Sequence, residues 1–366
     1  MYDAQTLVGV YHPTPIRTAC TVCRENRWKV SRARLNSLAA FHCGPVAKRA
    51  GRIEGRACLI ASALFAVIAL AITWGLAYWA HRAQTDRSAF VGLYLVIGFP
   101  AVLMIVAGVA VAVMSGSRIG VVLLAVGLGL GLPLSPQFRK QLARVTPIDP
   151  ESRIDMVGLS VMLGITGFLA VAAFASPDPG EEVAAVSLAD LLLQVILFVG
   201  LAFILTGTGI YRTVRQAARR LGLWRIGPAP VGIAILSVFA IFAVSITASL
   251  LTDWLQPDLV DDLNQVTDDM TANVQNPVGA ITLGLSAGIG EELLLRGAIQ
   301  PRFGLVLTSF FFALLHTQYG LTFVLLGLFG IGMILGVLRN RYGTMAPIIA
   351  HALFNTLVVL AQSAAN

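Results

Sequence analysis

The chain has 366 residues, of which 57% are hydrophobic and only 12% charged, with a mean hydropathy of +0.79. Soluble domains carry roughly 25% charged residues, so composition excludes a water-soluble protein and points to an all-α, polytopic membrane helix bundle. The net charge of +7 is not a nucleic-acid signature, because residues 1–57 hold ten Lys/Arg against three Asp/Glu while the rest of the chain holds sixteen of each.

The basic head, 1–57, reads as a cytoplasmic tail suited to an anionic lipid surface. All four cysteines, Cys20, Cys23, Cys43 and Cys58, lie in it or at its edge. Cys20 and Cys23 with His42 and Cys43 offer four zinc ligands, but the adjacent second pair strains a tetrahedral site, and a weakly ordered tail is the plainer reading. No signal peptide is expected: the first long apolar run begins near Cys58 and lacks a short apolar core with a small-residue cleavage site.

A spanning helix needs roughly 20 mostly apolar residues. Runs at about 58–80, 89–114, 156–175, 187–211 and 230–252 qualify, and interrupted runs lie beyond them at 278–300, 304–318, 321–338 and 346–363. These predict about eight to ten transmembrane helices. Residues 119–134 are apolar but short and glycine-rich, and read as an incomplete span. Loop 135–154, with Arg139, Lys140, Arg144 and Arg153, and loop 212–229, with five arginines and no acid, are expected inside by the positive-inside rule. The stretch 253–277, with six aspartates and no base, is expected outside. A complete span at 119–134 conflicts with placing both the head and loop 135–154 inside; the alternative is an outside N-terminus.

Against this background "GIGEELLLRG" at 288–297 stands out. Ionisable groups in a membrane helix cost several kcal/mol each on insertion scales of about 2.5–3.5 kcal/mol, and face a bundle interior or a wet cavity. Glu292 and Arg296 are four apart, in the orientation that favours an ion pair; Glu291 lies about 100° around the helix and is free for another task. Of five histidines only His316 and His351 sit in apolar segments, His316 one turn after Phe312 and His351 one turn before Asn355. One-turn spacing aims both members of each pair at the same neighbour. If the three segments converge, Glu291 can act as general base towards a water with His316 helping to hold it. His351 and Asn355 can then donate to the oxyanion formed at an amide carbonyl. Taken singly, each piece also reads as helix glue or an interhelical hydrogen bond.

Glu291-Glu292-x-x-x-Arg296, Phe312-x-x-x-His316 and His351-x-x-x-Asn355, in that order on hydrophobic segments, resemble the signature motifs of the CAAX-protease and bacteriocin-processing family of intramembrane endopeptidases. The resemblance covers 278–363 and has no departure at these seven positions. It implies an all-helical membrane protease in which Glu291 activates water, His316 assists, His351 and Asn355 form the oxyanion site, and Glu292, Arg296 and Phe312 support the geometry. The eukaryotic members remove the last three residues of prenylated proteins. Divided accordingly, the chain has a head at 1–57, N-terminal spans at 58–252, an acidic extracytoplasmic loop at 253–277 and the protease-like core at 278–363.

A zinc set of Glu291, His316 and His351 is the metal-dependent alternative, although the chain lacks a His-Glu-x-x-His helix; a metal-free glutamate mechanism is favoured. The partners expected are the bilayer and a peptide or protein substrate, with no nucleic acid. The Ala/Gly/Leu-rich style suggests a bacterial cytoplasmic membrane with the site towards the cytoplasm. The rival functions are an ion-coupled transporter, and a non-catalytic immunity or scaffold protein of the same fold. Against a transporter, there is no convincing internal repeat.

Overall fold

Long apolar segments with few helix-breaking residues leave the backbone one way to satisfy its polar groups in lipid, hydrogen-bonding within each segment. The computed structural model, which describes residues 52–174, 184–223 and 226–365, is helical throughout, and the described residues contain no β-strand beyond one isolated bridge. Residues 1–51 of the basic head, with Cys20, Cys23, His42 and Cys43, lie outside them.

The helices are α1 (Arg52–Arg82), α2 (Arg87–Ser115), α3 (Arg118–Gly131), α4 (Pro136–Leu142), α5 (Arg153–Phe174), α6 (Leu188–Leu205), α7 (Val214–Arg220), α8 (Pro228–Leu255), α9 (Val260–Thr271), α10 (Pro277–Phe303), α11 (Leu305–Leu314), α12 (Phe323–Tyr342) and α13 (Met345–Ala365). Eight described helices are long and apolar enough to cross a membrane, or nine if Arg118–Leu134 with α4, bent by 87°, makes one span. Starts are set by local chemistry. Asp86 accepts from the Ser88 and Ala89 amides, Ser187 and Asp190 form a capping box, and Asn276 accepts from the Gly279 amide ahead of Pro277.

Large apolar side chains such as Phe99, Val113 and Phe239 point outward, as a lipid-facing surface requires. Burial singles out α10: 61% of its apolar window is buried, against 6% for α1, so the helix carrying the glutamates is the central one. Lipid supplies no hydrophobic drive between helices, and close packing by small residues takes its place. Gly284 and Gly288 of α10 abut α13, where an added Cβ would come within 2.5 Å of the Ala352 carbonyl and 2.8 Å of the Ile348 carbonyl respectively.

The same device packs residues 119–134. At Gly120 a Cβ would meet the Ala112 amide at 2.4 Å, at Gly127 the Ala101 carbonyl at 2.8 Å, and at Gly129 the Leu163 carbonyl at 2.3 Å. Gly98, nearer the start of α2, faces Leu134. The segment therefore runs antiparallel to α2 and again to α5 over most of their length, traversing the bundle before it bends into α4. Its glycines mark backbone contact on two sides.

Further contacts sort the loops into two ends. At one, His81 stacks on Tyr211 with centroids 4.9 Å apart, the Arg153 amide donates to Gln84, Arg302 pairs with Asp155, Gly304 meets Pro147 and Gly222 meets Thr344. Residues 83–86, 135–153, 206–223 and 339–344 thus share an arginine-rich end. At the other, the Val186 amide donates to Met270 and the Phe323 amide to Gln256, gathering the aspartate-rich 256–276 segment. Helix α1 finishes at the arginine-rich end, so it begins at the opposite one. Placing both the start of α1 and loop 135–154 on the cytoplasmic side, as charge alone suggested, does not survive the odd number of traverses between them.

Candidate active site

Helix α10 is α-helical to Glu292, takes a widened π turn over Leu293–Ile299, and resumes at Gln300, whose amide donates to the Leu295 carbonyl. Such a turn inserts a residue, rotates the helix beyond it, and recurs at functional sites. Glu292 and Arg296 flank the start of this turn, and both are fully buried. Arg296 Nη1 lies 3.2 Å from Glu292 Oε1, an ion pair without hydrogen-bond alignment, and Nη2 donates to the Gly332 carbonyl of α12 at 3.4 Å. The pairing expected from four-residue spacing is present.

The same Glu292 Oε1 accepts from His351 Nδ1 at 2.8 Å. The two adjacent glutamates are thereby distinguished. Glu292 is held through Oε1 by a guanidinium and an imidazole, whereas half-buried Glu291 makes no hydrogen bond; the Oε2 of each is buried without a partner among the described residues. Glu291 is the uncommitted carboxylate of the site.

Phe312 is the hub. Its ring sits 5.0 Å from the His316 ring and 5.9 Å from the His351 ring, edge-on to both, and Arg296 Cζ lies 4.5 Å from its centroid. His316, just past the end of α11, places Nδ1 3.0 Å from the Phe312 carbonyl. A carbonyl only accepts, so Nδ1 is the donor and the Nε2 of a neutral ring is left to accept from water or substrate. Asn355, one turn beyond His351 on α13, is half-buried and makes no hydrogen bond among the described residues.

The structure therefore brings Glu292, Arg296, Phe312, His316 and His351 together, with Glu291 next in sequence and Asn355 next along the face of α13. Among the described residues no three His, Cys, Asp or Glu side chains form a group able to hold a metal ion. His351 Nδ1 is engaged by Glu292 and His316 Nδ1 by the Phe312 carbonyl, which leaves Nε2 of each ring free. Two participants carried no motif signal. One is Gly332, which lends its carbonyl to Arg296. The other is Gln300, buried at the end of the π turn, whose Nε2 donates to Gly336 and Asn340 at 2.9 Å each. A polar residue two turns past Glu292 in an apolar helix was the available sign of Gln300. An apolar cleft of about 500 Å³, lined by Phe310, Ala313, Leu314, Phe323 and Phe329 among others, holds none of the site residues.

The fold and site define a polytopic helical membrane protein with a buried carboxylate, guanidinium and imidazole cluster, a set of groups suited to acid-base chemistry on a water molecule. Residues 273–357, about a quarter of the chain, match the family described as Rce1-like, type II CAAX prenyl endopeptidase Rce1-like. This is the CAAX-protease family that the three motifs resemble, and the match spans α10 to α13 around the cluster. No curated protein and no solved structure matches the chain.

Proposed function

We propose that the protein is an intramembrane endopeptidase that hydrolyses a peptide bond of membrane-associated, CAAX-like substrates with water activated by Glu291 and His316. The observation that carries this reading is the Phe312 hub, which sets both imidazoles and Arg296 around one ring, with Arg296 also within electrostatic reach of the unpartnered Glu291 carboxylate. Glu291 takes the proton of the attacking water and returns it to the amide nitrogen as the C–N bond breaks and the amine leaves, and His316 Nε2 accepts a second hydrogen bond from the water. The carbonyl oxygen, gaining charge, is received by His351 Nε2 and the Asn355 carboxamide. His351 offers Nε2 to the oxyanion while its Nδ1 is held by Glu292. Glu292 and Arg296 orient His351 and touch no reacting atom. The arginine-rich end is the cytoplasmic one by the positive-inside rule, which gives the catalytic chamber access from that side. No step is assigned to a metal.

The test compares membrane-peptide profiles from cells expressing the parent, Glu291→Gln and His316→Ala chains at equal level. Peptides trimmed by the parent should persist untrimmed in both variants, and purified parent should keep its activity after exhaustive chelation. A scaffold or an ion-coupled carrier would leave the three profiles alike. Loss of activity on chelation with recovery on adding zinc would refute the metal-free mechanism.

A further inference from the structure

The arginine-rich end carries a second polar cluster that the hydrolytic site does not use. Leu221, fully buried, lies against Gly297 of α10, and Gly222, at φ +81°, packs its backbone on Thr344 in the turn between α12 and α13. The left-handed backbone and the lack of a Cβ at Gly222 let the chain turn there, since a Cβ would meet Thr344 Oγ1 at 2.8 Å. This docks α7 between the inner ends of α10 and α12 and gathers four arginines. Arg212 lies over the Tyr211 ring, its Cζ 4.7 Å from the centroid, and Arg302 Nη2 is 3.5 Å from the Tyr211 hydroxyl. Arg220, half-buried, interacts electrostatically with Arg302 and Arg212, and Arg339 with Arg220.

The compensation is small. Asp155 pairs with Arg302, and no other carboxylate among the described residues pairs with any of the four. Arg212 Nη1 donates to the Thr206 carbonyl and Arg339 Nη1 to Asn340 Oδ1, but Arg220 has no ion pair or side-chain hydrogen bond among the described residues, and Arg339 Nε is buried without a partner. Burial, and then the charges of Arg302 and Arg212, pull the Arg220 guanidinium below its ordinary range. Four partly desolvated guanidiniums that share one carboxylate are costly unless a further anion joins them. Their planar forks suit the oxygens of a phosphate. The cluster sits where spans end and beside an exposed tyrosine of the kind found at headgroup level. The anion within reach there is a lipid headgroup.

We propose that Arg212, Arg220, Arg302 and Arg339 bind the phosphate of an anionic membrane lipid at the arginine-rich end, clamping α7 to α10 and α12. The experiment measures melting temperature in detergent while phosphatidylglycerol, phosphatidylcholine or inorganic phosphate is added. The parent should show a saturable rise with phosphatidylglycerol and none with the other two at equal concentration. Arg220→Gln and Arg339→Gln should lose that rise, and Arg144→Gln, an exposed arginine at the same end outside the cluster, should keep it. Without lipid, Arg220→Gln should melt no lower than the parent, because it removes a repelled charge; if it fails to fold, Arg339→Gln carries the same comparison. Retention of the full rise in Arg339→Gln, an equal rise with phosphatidylcholine, or an equal rise with free phosphate overturns the proposal.

Discussion

Removing the Arg296 guanidinium would leave the fully buried Glu292 carboxylate facing only His351. Breaking a buried ion pair by deleting one partner costs about 3–5 kcal/mol, and the Phe312 ring also loses the cation on its face. Arg296→Ala should therefore lower the melting temperature markedly, whereas Glu291→Gln, which removes no bonded group, should leave it within a degree or two of the parent. Thermal melts of the two variants in one detergent check this, and equal stability of Arg296→Ala and parent would remove the structural role given to the pair. At this scale much was legible: the Glu292 and Arg296 pairing and the Phe312 and His316 contact both stem from one-turn spacing. The bond from His351 to Glu292 was not, because which of two neighbouring glutamates faces α13 depends on the rotation of α10 and on how closely two backbones approach.

Among the elements, the contact between α10 and α13 decides whether the site exists. Gly284 and Gly288 let the two backbones touch, and Glu292 and His351 meet one turn further on. Gly288→Leu should push the helices apart, break that hydrogen bond and abolish cleavage with a clear drop in melting temperature. Gly75 of α1 has nothing within 4 Å of a Cβ, and Gly75→Ala should be neutral or stabilising by up to about 1 kcal/mol. Activity and melting of the two variants side by side test this; a benign Gly288→Leu would mean the helices are not locked. Segment 119–134 illustrates why such contacts escape a sequence reading. Its glycines lower apparent hydropathy and length, so the run looked incomplete, yet those glycines are what allow α3 to lie against α2 and α5 at once.

For the molecule as a whole, the alternation of spans puts residues 83–86 and 135–153 at one end and 256–276 at the other. With native cysteines replaced, single cysteines at Thr85 and Val145 should react with a membrane-impermeant maleimide from the same side, and one at Asp258 from the opposite side. Labelling of Thr85 and Asp258 from one side would contradict the arrangement. The helical class and span positions were readable because apolar run length maps directly onto bilayer thickness. The sidedness of the loops was not readable from charge, because two basic regions competed for one side and only packing decides how many traverses separate them.

The central claim is that water, activated beside Glu291, cleaves a peptide bond inside this bundle. The most direct test incubates purified protein with a membrane peptide substrate, taken from those trimmed only by the parent, in ¹⁸O-labelled water and reads the new carboxyl terminus by mass spectrometry. The parent's product should carry ¹⁸O in its new terminus and Glu291→Gln should give no product; undiminished product from Glu291→Gln would rule out the proposed role of that carboxylate.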